Sequence, residues 1–147
     1  MTVALSGKDL ASRIEGKYPD SIEESTQYCL VVKGDSLLKI AKFLRDTADL
    51  KLDYINYVTA VDYYSYFEVV YQLTSTKHNH SIVLKTKCYD RESPSVPSVT
   101  SLWQGADFQE REIYDLMGID FKGHPNMKRI FLWDGFQGHP LRKDYLQ

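Results

Sequence analysis

Two Gly-His-Pro triplets, Gly123-His124-Pro125 and Gly138-His139-Pro140, have the residue types and spacing for chemistry. Glycine permits an unusual turn and proline restricts the residue before it to extended backbone, so each imidazole would sit on a stiff bend. Paired histidines suggest a metal site, with Asp120, Asp134 and Asp144 near enough in sequence to add oxygen donors. No ligand spacing of a known metal motif accompanies them. His78 and His80 could share a strand face, but Asn79 between them marks a turn. Nucleophilic catalysis lacks a local signature as well, because no nucleophile elbow is present. Glycine-rich phosphate loops are also absent. Cys29 and Cys88 lie in apolar, strand-like runs, as buried free thiols do. Two separated cysteines cannot hold an iron–sulfur cluster, which takes about four ligands. A small metal-dependent enzyme using His124 and His139 is therefore one reading, and the surrounding residues must supply whatever else it needs.

The nearest such residues lie on a helix expected over residues 107–117, opened by Asp107 with Glu110 as a capping-box partner and closed by Gly118. On a period of 3.6, Ile113, Leu116 and Met117 face the core. Phe108, Arg111, Glu112 and Asp115 fall on the other side, with Asp107–Arg111 and Arg111–Asp115 as i, i+4 pairs. An aromatic amid charges on an outer face needs a cover. Either the segment that follows folds back over Phe108, or another protein does. That segment, residues 119–147, has little regular periodicity. It is basic, with Lys122, Lys128, Arg129, Arg142 and Lys143 against Asp120, Asp134 and Asp144, and it is punctuated by Phe121, Phe131, Trp133, Phe136 and Tyr145. Such an arm is ordered against a surface, its own domain's or a partner's, with arginine and tryptophan as frequent anchors. Single-stranded nucleic acid is a third class of ligand for a basic, aromatic arm.

The elements that position this segment read as α+β: an antiparallel-dominated sheet with two to three packing helices, residues 1–118, followed by an extended C-terminal arm, residues 119–147, in the same structural unit. Ser6 and Asp9 signal a first helix that Tyr18-Pro19 ends. Residues 27–33 read as a strand with a buried centre. Asp35 is placed to cap the main helix, whose stripe is Leu37, Leu38, Ile40, Ala41, Leu44 and Ala48. Residues 54–64, 67–75 and 80–89 alternate across short polar turns, which dictates an antiparallel meander. Residues 90–98, with two prolines, read as a loop.

The whole chain limits the choices further. Its 147 residues fit one domain with an adequate core. A net charge of −2 disfavours general nucleic-acid or membrane-surface binding. Residues 1–10 lack the apolar core of a signal peptide, and no run of about 18 apolar residues exists to span a bilayer. Eleven tyrosines suit either an interface or a tyrosine-rich sheet.

The run Glu110-Arg111-Glu112-Ile113-Tyr114-Asp115-Leu116-Met117-Gly118-Ile119 resembles the motif EREVYDLFGI of the 30-kDa (C) subunit family of respiratory complex I, the proton-pumping NADH:quinone oxidoreductase. In cyanobacteria and plastids the counterpart is the J subunit of the NDH-1 complex. The likeness continues through Phe121, Gly123-His124-Pro125 and Arg129-Ile130 to the run from Gly138 to Tyr145. It extends back, more weakly, to Ala60-Val61-Asp62, Phe67 to Tyr71 and Val96 to Val99. Phe108 stands where the family often has tryptophan, and Gly135-Phe136 where it often has Asp-Trp. Gln104-Gly105 stands where many members have proline or alanine. The resemblance implies a non-catalytic structural subunit of the hydrophilic arm. It would dock on the large D subunit, which forms the quinone site together with the B subunit, and would also neighbour the I subunit. Related subunits occur in deazaflavin-coenzyme dehydrogenases and membrane-bound hydrogenases. No cofactor is expected on this chain; iron–sulfur clusters, flavin and quinone belong to the partner subunits. An unfused subunit, peripheral on the cytoplasmic or stromal face of an energy-transducing membrane, is expected. The implied interface comprises Phe108, Arg111, Glu112, Asp115, His124, Arg129, Trp133, His139, Arg142, Lys143 and Asp144.

Overall fold

A computed structural model describes residues 2–145; Met1 and the last two residues of the arm lie outside it. The elements in chain order are β1 (Val3–Ala4), α1 (Gly7–Lys17), β2 (Ile22–Ser25), β3 (Cys29–Val32), α2 (Leu37–Asp46), β4 (Tyr54–Asp62), β5 (Phe67–Ser75), β6 (His80–Cys88), β7 (Ser95–Pro97), α3 (Asp107–Met117) and β8 (Asp120–Lys122). The main sheet runs β2-β3-β6-β5-β4, and β1 lies beside the start of β6. The expected meander is present: β4–β5 and β5–β6 are antiparallel, from Asp62↔Phe67 to Phe67↔Cys88 in register. β3 and β1 both join β6 in parallel, so the α+β class holds with a mixed sheet in which antiparallel pairs dominate.

Period-2 alternation sorts the strands into faces. Ile55, Val58, Phe67, Val69, Tyr71, Leu73, Ile82 and Leu84 point inward and join Leu30 and Val32 of β3 in one apolar cluster. The helices close that cluster. α1 contributes Leu10, Ala11 and Ile14, and α2 contributes Leu37, Ile40, Ala41 and Leu44. Each fully buried Leu or Ile adds roughly 1.5–3 kcal/mol of burial free energy. The ends of the α2 stripe drop out, since Leu38 is an exposed apolar residue and Ala48 lies past the helix. Ser6 Oγ accepts the Asp9 N–H as expected, at 3.4 Å.

Asp35 does not cap α2. A 3₁₀ turn, Gly34–Ser36, feeds the helix instead, and the Asp35 carboxylate accepts from Ser36 Oγ at 3.4 Å. The chain is already turning before the helix begins, which removes the extended backbone an N-cap needs. β2 escapes the pattern because IEES carries a single apolar residue; its pairing with β3 makes it a strand. The two-proline loop also contains a strand. β7 pairs in parallel with β8 at the start of the arm, Val96↔Phe121, and Ile119 and Phe121 are core residues. Partners distant in sequence make both strands, so no local periodicity reports them.

A clasped helix as candidate functional site

Helix α3 starts from a second 3₁₀ turn, Gln104–Ala106, and ends at Gly118 in the left-handed region, φ 77°. The capping box is not formed. Glu110 is wholly buried and instead accepts from Ser98 Oγ (2.6 Å) and the Val99 N–H (2.9 Å). It thereby ties α3 to the loop after β7. Burial raises its pKa against the effect of those two hydrogen bonds. Ile113 and Met117 face the core as expected, while Leu116 is half-buried.

The arm answers the question posed by the outer face of α3. It folds back and covers the C-terminal half. Asp115, expected among the outward charges, has no exposed surface. Its Oδ2 accepts the backbone N–H groups of Ile130 (3.2 Å), Phe131 (2.8 Å) and Leu132 (2.9 Å), and its Oδ1 pairs with Arg129 at 3.0 Å. Burial opposes ionisation, but those three N–H groups and the Arg129 charge outweigh it, so Asp115 titrates below the usual carboxylate range. The helix-surface pairs Asp107–Arg111 and Arg111–Asp115 are not made. Arg111 instead donates to the carbonyls of Lys128 and Arg129 at 3.2 and 3.4 Å, while Arg129 and the arm's N–H groups take the Asp115 carboxylate.

The two Gly-His-Pro triplets hold opposite ends of α3. At its start, the His124 side chain is fully buried. Its Nδ1 accepts the Asn126 N–H at 3.0 Å, so the proton sits on Nε2, which donates to the Asp107 carbonyl at 3.3 Å. The Asp107 carboxylate lies 2.8 Å from the same nitrogen, near enough for attraction but not aligned as a hydrogen bond. At the other end, the last carbonyls of a helix have no partner of their own. Here His139 Nδ1 donates to Asp115 O (3.0 Å), the Leu141 N–H to Leu116 O (3.0 Å) and Arg142 Nε to Met117 O (2.7 Å). Gly118 lets them approach: a Cβ there would meet His139 Cδ2 at 2.6 Å and Arg142 Nη2 at 2.7 Å. An arginine at the negative end of the helix dipole adds to the hold.

A third tie fixes the tail. Asp62, buried at the end of β4, takes a two-pronged contact from Arg91 (2.7 and 3.1 Å) and accepts the Tyr64 and Lys143 N–H groups at 2.8 and 2.9 Å. Arg91 also pairs with Asp144 at 3.1 Å. The Arg91 and Arg142 guanidinium groups both stack on the ring of buried Phe67, 4.6 and 5.1 Å from its centre. Of the residues singled out from sequence, Asp115, His124, Arg129, His139, Arg142 and Asp144 thus bond within the chain, as does the Lys143 backbone. Phe108 and Trp133 remain 64% and 68% exposed, as does Phe131 at 65%. Glu112 is exposed too. Sequence reasoning passed over Asp62, Arg91 and Glu110 as fixing points. Polar residues in a strand, a loop and an expected cap carry no local sign of a long-range role.

This is a small α+β domain whose arm is clasped around its last helix, leaving Phe108, Phe131 and Trp133 bare. The model of the family described as "Respiratory-chain NADH dehydrogenase, 30 Kd subunit" matches residues 30–147, and the chain belongs to that family. It is 38% identical over 149 residues to the C subunit of the NADH-quinone oxidoreductase of Roseiflexus castenholzii, covering 97% of this chain and 85% of the relative. It is 46% identical over 95 residues to the C/D subunit of the NADH-quinone oxidoreductase of Phocaeicola vulgatus, covering 64% of this chain and 18% of that one. The fold also matches a chain in the structure of the membrane-bound sulfane sulfur reductase, an archaeal respiratory membrane complex. That match has a TM-score of 0.74 at 23% identity and covers 95% of this chain and 85% of the other.

Proposed function

We propose that this chain is a non-catalytic structural subunit of the hydrophilic arm of a proton-pumping NADH:quinone oxidoreductase, docking on the quinone-site D subunit and supporting electron transfer to quinone. The observation that carries this reading is the exposure of three large aromatics, Phe108 on α3 and Phe131 and Trp133 on the arm clasped against it. Large aromatics left bare while Arg111, Asp115 and Arg129 bond internally are what a protein-docking surface requires. The C/D relative, whose name joins both parts in one chain, supports the quinone-site subunit as the neighbour. The B and I subunits are the further partners in this reading. Iron–sulfur clusters, flavin and quinone belong to other subunits of the complex in this reading, and not to this chain. No helix among the described residues is long and apolar enough to cross a membrane. Membrane contact then runs through the partners, on the cytoplasmic or stromal face.

The metal-enzyme reading loses its basis in the histidine geometry. Both nitrogens of His124 are occupied, and the carbonyls held by the two histidines lie eight residues apart on α3, about 12 Å along its axis. One ion cannot bridge that separation. The test is purification of the tagged chain from its native host under mild detergent. The reading expects the quinone-site subunit in equal amount, NADH:quinone activity in the assembly and none in the isolated chain. A chain that purifies alone, with no redox subunit attached, would overturn it.

A further inference from the structure

We infer that Asp115 is the positioning residue that sets the pose of the docking aromatics, an inference that rests on the reading that the arm docks on a large partner subunit. Residues 127–137 form no helix or strand, and the turn that the Phe136 N–H closes on the Trp133 carbonyl (3.1 Å) does not by itself tie this stretch to the domain. The Asp115 carboxylate ties the stretch carrying Phe131 to the helix. Three successive N–H groups, at Ile130, Phe131 and Leu132, converge on Asp115 Oδ2. Successive backbone amides curled in this way form an anion-binding nest, and here the chain's own helix fills it.

The nest also sorts the side chains it carries. Ile130 and Leu132 turn partly inward, while Phe131 and Trp133 are left about two-thirds exposed. The second oxygen extends the control. Asp115 Oδ1 holds Arg129, whose guanidinium reaches the Gly138 carbonyl at 3.3 Å and lies 5.8 Å from the centre of the Phe136 ring. Phe136 in turn meets Trp133 edge-on at 5.9 Å. The covered end of α3 thus bears on the geometry of an exposed surface through the Asp115 side chain. A surface ordered beforehand avoids the ordering cost at the moment of docking, which is how preorganisation raises affinity.

The partner this surface fits is a large subunit presenting an apolar pocket for adjacent aromatic anchors. The quinone-site subunit is the occupant argued for, on the strength of the C/D relative. The experiment compares tagged wild type, Asp115→Asn, Arg129→Gln and Trp133→Ala, each purified as the assembled complex from the native host. It is read as the ratio of quinone-site subunit to tagged chain after a dilution chase. Hydrogen exchange of the isolated chains runs alongside. Asp115→Asn is expected to lose protection at Ile130, Phe131 and Leu132 while the sheet amides keep theirs, and to release the quinone-site subunit about tenfold faster or more. Arg129→Gln breaks the same clasp from the arm side, and faster release is expected there too; it decides the matter if Asp115→Asn does not fold. Faster release from Trp133→Ala with unchanged release from both clasp variants would overturn the positioning role and leave the docking reading standing. Unchanged release from Trp133→Ala would overturn the docking reading itself, and this inference with it.

Discussion

Asp62 and Glu110 are both buried carboxylates, and their surroundings push them in opposite directions. The Arg91 hydrogen bonds, against the desolvation that opposes them, hold Asp62 far below the usual carboxylate range, with the Lys143 and Tyr64 N–H groups adding to the effect. A depressed folded pKa means stability that is present above the unfolded value, near 4, and lost as pH falls below it toward the folded value. Asp62→Asn should therefore lower stability at neutral pH by up to about 3 kcal/mol, since Arg91 is left half-paired. It should also flatten the acid limb of a plot of urea midpoint against pH below about 4. Glu110 behaves in the reverse sense. Burial raises its folded pKa, so the unfolded chain releases its proton first, and stability declines as pH rises through the unfolded value toward the folded one. Glu110→Gln should remove that decline, seen as a urea midpoint that changes less above about pH 4.5 than in the wild type. The two carboxylates read alike in the sequence, one in a β-branched run and one three residues into a helix. Their roles come from Arg91, Ser98 and Val99, which no local pattern connects to them.

At the scale of elements, the sequence marked α3 and the meander clearly and misread the segments joining them. α3 was legible because Ile113 and Met117 recur at helical spacing and Gly118 closes the run. The meander was legible because its strands alternate across short turns. β7 and β8 were not, because each is a strand only through the other. The outward charges of α3 also misled. Helical spacing gives the direction of Asp115, but only the fold-back of residues 129–132 shows that this direction is buried. The repeated Gly-His-Pro triplets suggested a metal site and prove to bracket the helix. Gly118→Ala tests that bracket. A left-handed alanine is strained by about 1–2 kcal/mol, and its Cβ would displace His139 and Arg142 besides. The expected result is a lower melting temperature together with faster proteolytic cleavage between α3 and the tail. Cleavage at the wild-type rate would show that the second triplet does not depend on the helix end.

At the scale of the whole molecule, the chain belongs to the family of the 30-kDa subunit of the respiratory-chain NADH dehydrogenase, and its surface suits the docking role proposed for it. Buried charges secure the arm internally, while Phe108, Phe131 and Trp133 stay exposed. Phe108 lies outside the clasp, with the Arg111 guanidinium over its ring at 5.5 Å, and is as bare as Trp133. Phe108→Ala and Trp133→Ala should each keep the melting temperature of the isolated chain within a degree or two, as exposed substitutions do. Each should weaken assembly by about 2 kcal/mol or more, as the loss of an interface anchor does. Part of this was legible early: the aromatic residues of the arm and the misplaced Phe108 called for a covering surface. Which of them the arm itself covers depended on the fold-back, which the sequence does not encode locally. The most direct measurement places a photo-crosslinking amino acid at position 133 in the chain assembled in its native host, with the adduct identified by mass spectrometry. The account predicts a high-yield crosslink to the quinone-site subunit that disappears when the complex is dissociated before irradiation. A crosslink confined to this chain itself, in an assembly that is otherwise intact and active, would contradict it.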